Sequence, residues 1–90
     1  MSTTNEQVRE KPHAHVVHIT VNRKSVTVPD HEITGLQIKE AAIDQGVQIE
    51  IDFQLSEELG HHQSRIVGDD DLVHVHEGSA FLAVAPDDNS

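Results

Sequence analysis

The chain has 90 residues, eight of them histidine and none cysteine, with a formal net charge of −10 when histidine is neutral. That length bounds it to one domain with a small core, and the missing thiols exclude disulfide staples, cysteine nucleophiles and iron–sulfur ligation. The acidity opposes nucleic-acid backbones and no apolar run approaches the ~20 residues of a membrane span, so a soluble, cytoplasmic protein is expected, with no nucleic-acid or membrane partner.

Residues 1–13 are polar, hold Val8 as their single large aliphatic side chain besides Met1, and lack an apolar signal-peptide core; they read as a tail. The domain is expected over 14–86, with 87–90 a short C-terminal tail. His15–Val21 is β-branched-rich and predicts a first strand. Asn22-Arg23-Lys24 turns, and Ser25–Val28 predicts a second strand ended by Pro29, which has no N–H to donate. Thr34 with Gln37 matches a capping box and Ile33 sits at the staple position, so a helix is predicted over Gly35–Gln45, stopped by Gly46. On it, Ile38, Ala41 and Ala42 form the stripe expected to face the sheet, while Leu36 and Ile43 project elsewhere.

Val47, Ile49, Ile51, Phe53 and Leu55 alternate with polar residues, which predicts a third strand over Val47–Leu55. Ser56–Ser64 reads as a loop, Arg65–Val67 as a very short strand and Asp69-Asp70-Asp71 as a turn. Leu72–His76 reads as another short extended piece and Ala80–Ala85 as the last strand, before Pro86. The order predicts an α+β fold: a mixed sheet of four to five strands packed on one helix. Phe53 and Phe81 are the chain's aromatic residues, so Val, Ile, Leu and Ala must fill the core.

The last strand is apolar on both faces, Phe81 and Ala83 on one and Leu82 and Val84 on the other. That predicts a central strand or a face left for a partner. If the first and last strands are neighbours, Val16, Leu82 and Val84 would form a protein-binding patch bordered by Glu50 and Asp52.

His13-x-His15 and His74-x-His76 are the sharpest chemical constellations. Residues i and i+2 of a strand share a face, so each pair could chelate zinc, copper or nickel, with His18, His61, His62 or Asp69 as a third ligand. Asp69 and Asp71, with Asp70 and Glu77, could offer oxygens to calcium, though not at EF-hand spacing. Scattered solvated histidines and an ordinary Asp-rich turn account for the same residues, so no dedicated cofactor is expected, with zinc and calcium as the candidates if there is one. No serine sits in a glycine-framed elbow and no phosphate loop occurs. The chain is therefore not expected to be an enzyme.

Ile19-Thr20-Val21-Asn22, Val28-Pro29-Asp30, Ile33-Thr34-Gly35, Ile38-Lys39-Glu40 and Ile66-Val67-Gly68-Asp69-Asp70-Asp71 are followed by Phe81 to Pro86. In order and spacing these short motifs resemble the bacterial multiubiquitin domains, a ubiquitin-like β-grasp family. The resemblance covers roughly residues 15–86. It implies a protein modifier handled by activating and conjugating enzymes and a JAB-type peptidase, in systems implicated in phage defence. Ubiquitin ends in Gly-Gly, whereas this chain ends Pro86-Asp87-Asp88-Asn89-Ser90. Conjugation would thus run through Ser90 or a residue within Asp87, Asp88 and Asn89 uncovered by trimming. The family often carries tandem domains where this chain has one, and the polar face of the predicted third strand differs from ubiquitin's apolar one. The alternatives are a non-covalent interaction module and a self-associating domain, its assembly metal-linked.

Overall fold

The computed structural model of the chain describes residues 16–86. His13, His15 and residues 87–90, with the expectations attached to them, lie outside that range. Strand β1 (Val17–Val21) turns through Asn22 and Arg23 into β2 (Lys24–Val28). Both turn residues have left-handed backbone, φ 53° and 69°, which matches a two-residue hairpin loop to the strands' twist. A three-residue strand, β3 (Glu32–Thr34), leads directly into helix α1 (Gly35–Asp44). The predicted capping box is formed: Thr34 Oγ1 accepts from the Gln37 N–H at 3.2 Å and Gln37 Oε1 accepts from the Thr34 N–H at 2.9 Å. Strands β4 (Gln54–Gly60), β5 (Gln63–Val67), β6 (Leu72–His74) and β7 (Ala80–Val84) complete the chain.

The main sheet has five strands in the order β2-β1-β7-β4-β5, and β3 pairs with β6 in a separate two-stranded sheet. β1 and β7 run parallel, with Thr20 opposite Ala80 and Val21 opposite Phe81, and the other pairs are antiparallel. The mixed sheet with its first and last strands side by side and one helix across it is a ubiquitin-like β-grasp. Phe81, Ile19, Ile38 and Leu55 are the largest fully buried side chains. Ile38 and Ala42 face the sheet as expected, Ile33 is buried opposite Val73, and Ile43 is exposed. No described helix is long and apolar enough to cross a membrane.

Two predicted elements need correction. Val47–Leu55 is not one strand: the chain enters the sheet only at Gln54. Val47 and Ile49 are buried as their alternation demanded, but the backbone from 47 to 53 is bound elsewhere. The Val47 N–H goes to Ala42 O, and the Phe53 N–H closes a turn on Glu50 O. The Ile51 and Phe53 carbonyls accept from Lys39 Nζ at 2.7 and 2.9 Å. Those groups are therefore unavailable to a ladder. Ser56–Ser64 is not a loop either. It holds most of the β4–β5 hairpin, turned at His61 and His62 with φ 51° and 63°. Polar side chains hid this strand; Glu57, nearly buried on it, is matched by Arg65 across the hairpin at 2.6 Å.

Candidate functional site

The sheet's outer face, away from α1, is where the chain presents apolar surface. The registers set Ser56 opposite both Leu82 and Ile66, so Leu82, Ser56 and Ile66 form one row across β7, β4 and β5. Ile66 is 66%, Val84 59% and Leu82 37% exposed, enough for all three to meet a partner. Val84 is flanked by Gln54. Ile66 was missing from the expected patch because its strand looked too short to have faces.

Val16 does not join this patch. It precedes Thr20 by four residues, whereas Leu82 and Val84 follow Thr20's partner, Ala80, in a parallel pair. They therefore sit toward opposite ends of the β1–β7 ladder. Glu50 and Asp52 are exposed in the crossover before β4. Asp52 lies two residues ahead of Gln54, the cross-strand neighbour of Val84.

The candidate metal ligands have other partners. Asp69 Oδ1 takes the Lys39 ammonium at 2.7 Å, and Asp71 Oδ2 accepts the Gly68 N–H at 2.8 Å. His74 Nδ1 is 3.4 Å from Glu32 Oε2, and His76 Nδ1 is 3.2 Å from Glu77 O. Among the described residues, no group of three or more His, Asp or Glu side chains converges as a metal site would require.

Glu77 instead extends the β1–β7 ladder. Its Oε2 accepts the His18 N–H at 2.9 Å, its Oε1 lies 3.1 Å from His18 Nδ1, and the Gly78 N–H donates to His18 O. The His18 backbone N–H, reinforced by the ring, holds the Glu77 carboxyl below its ordinary range. At the other end of the same ladder, the Asn22 amide brackets Ala83, accepting its N–H at 2.8 Å and donating to its carbonyl at 3.1 Å.

The remaining motif residues also serve the fold. The N–H groups of Gly35 and Leu36, left without partners inside the helix, donate to the carbonyls of Asp71 and Asp69. Asp30 Oδ1 accepts the His31 N–H at 2.7 Å before β3. Lys39, 4% exposed, ties the helix to the crossover and to the Asp69 turn at once.

A β-grasp sheet whose motifs lock its own corners, and whose outer face carries an apolar row, is the architecture of a ubiquitin-like domain. The family model for multiubiquitin matches residues 17–87, and the chain belongs to that family. Searches of curated proteins and of solved structures return no match.

Proposed function

We propose that the chain is a protein modifier, handled as a folded domain by dedicated bacterial activating, conjugating and peptidase enzymes in a phage-defence type of system. The observation that carries this reading is the multiubiquitin match over residues 17–87. The central β7 adds support, because the described residues that follow it, Ala85 and Pro86, are exposed. In this reading the chain is the transferred group rather than the catalyst, and it acts in the cytoplasm. A C-terminal carboxylate, of Ser90 or of Asp87, Asp88 or Asn89 after trimming, is adenylated with loss of pyrophosphate. The acyl group then passes to an enzyme thiol with release of AMP, and finally to an acceptor amine, which forms an amide and frees the thiol.

Intact mass of an N-terminally tagged chain recovered from its host under denaturing conditions tests this. The expected result is a trimmed terminus or an adduct that survives denaturant, with loss of the adduct on deleting residues 87–90. A chain that stays at its full mass under several stresses rejects covalent transfer.

A second reading, a non-covalent interaction module, is favoured by the exposed row of Ile66, Leu82 and Val84. Leu82→Asp should then abolish partner capture while the domain stays folded, since Leu82 is already exposed. A folded variant that binds unchanged removes this reading.

A further inference from the structure

The main sheet has two edges, and the chain treats them differently. At the β2 edge the side chain of Gln45 stands in for a neighbouring strand. Its Oε1 accepts the Thr27 N–H at 2.9 Å and its Nε2 donates to the Thr27 carbonyl at 2.7 Å. The β5 edge has no such cover among the described residues: Gln63, Ser64, Arg65 and Ile66 are all exposed, and β5 pairs only with β4. Natural edges are usually protected by a projecting charge or a proline. β5 has no proline, and its one cation, Arg65, is drawn onto Glu57.

Beside this edge lies a cleft of about 190 Å³ lined by Arg65, Ile66, Val67, Asp71, Leu72 and Val73. Ile66 and Leu72, at 66% and 65%, are the most exposed large apolar side chains of the described chain. The Asp69–Asp71 turn directly follows the strand, and Asp70 has no ion pair among the described residues.

We propose that the β5 edge is a docking strand for an extended segment of another protein, with aliphatic residues at its centre and Lys or Arg beside them. Main-chain hydrogen bonds would continue the sheet by one strand. One aliphatic side chain extends the outer row beyond Ile66, the next turns into the cleft beside Leu72, and the basic residues meet the Asp turn. Charge selects this occupant: at −10 per chain, a second copy is repelled and a cationic segment is drawn in.

A phage-displayed library of random twelve-residue peptides, selected on the full chain, tests the proposal. The expected consensus alternates aliphatic residues next to Lys or Arg. Its synthetic peptide should shift the backbone amides of residues 63–67 and 71–73 and bind more weakly as salt rises. Ile66→Lys and Leu72→Lys, both at exposed positions, should keep the parent Tm and each weaken binding by about tenfold or more.

Failure to enrich any peptide overturns the proposal, as does an acidic consensus or binding unaffected by either variant. Amide shifts confined to β2, or to Leu82 and Val84, also overturn it. Slow exchange of the β5 amides that is lost on dilution would assign the edge to a second copy. Slow exchange in the monomer that is released by deleting residues 1–15 would assign it to the chain's own N-terminal segment.

Discussion

Gly35 shows how a short motif acquires its meaning. A methyl group there would overlap the Gly68 carbonyl oxygen and lie 2.9 Å from Val67 Cγ1. The turn carrying Gly68 cannot retreat without breaking the two bonds it accepts from the start of α1. Gly35→Ala should therefore lower stability by about 1–3 kcal/mol through overpacking, although alanine suits helices better than glycine. Urea denaturation of the two proteins measures this; an unchanged midpoint would show that the turn yields freely. The sequence displays Gly35 and Gly68 as separate motifs 33 positions apart. Only the fold reveals that they touch. Thr34 and Gln37 were legible because a cap is a local device, whereas Asn22, Glu77 and Lys39 act on residues far along the chain.

Among the elements, hairpin β1–β2, helix α1 and strand β7 were readable because each combines a local pattern with a stop signal. The segment 47–53 misleads because alternating apolarity reports burial, and burial does not require a hydrogen-bonded neighbour. The β4–β5 hairpin was hidden for the opposite reason. Its residues past Leu55 are mostly polar, and its turn uses two histidines where Asn-Gly would advertise the geometry. The outer apolar row was half legible for the same cause: Leu82 and Val84 belong to a readable strand, Ile66 to a hidden one. Gln45, expected as the last helical residue, is the C-cap, and its amide closes the β2 edge. Gln45→Ala should cost about 1–2 kcal/mol for the lost hydrogen bonds. It should also speed hydrogen exchange at the Thr27 amide, which NMR reads directly. Exchange at Thr27 equal to the parent's would mean that another group covers that edge.

The fold as a unit responds to acid partly through Glu77. Its carboxyl is held below the ordinary value of 4.5 chiefly by the His18 backbone N–H, so it binds its proton less readily folded than unfolded. The resulting stabilisation is fully present above the unfolded value and disappears as pH falls through the lower folded one. Glu77→Gln should be less stable than the parent near neutral pH, with the difference narrowing below about pH 4.5. Urea midpoints across that range check the sign; a gap that widens on acidification would contradict the assignment. The −10 net charge, by contrast, was visible in composition and describes solubility and partner choice rather than architecture.

Phe81, the largest buried side chain, lies on the last strand, and that strand fills the middle of the sheet between β1 and β4. A ribosome must therefore release the chain through β7 before a closed core can form, and β1 waits beside an empty slot until then. The same arrangement limits any protease that shortens the C-terminus. Cuts beyond Pro86 leave every strand in place, whereas a cut before Val84 removes rungs from the centre of the sheet and exposes the interior. Folding thus acts as a length gauge: the domain holds together only when its final described strand is intact, and a cut past Pro86 spares all of its pairing.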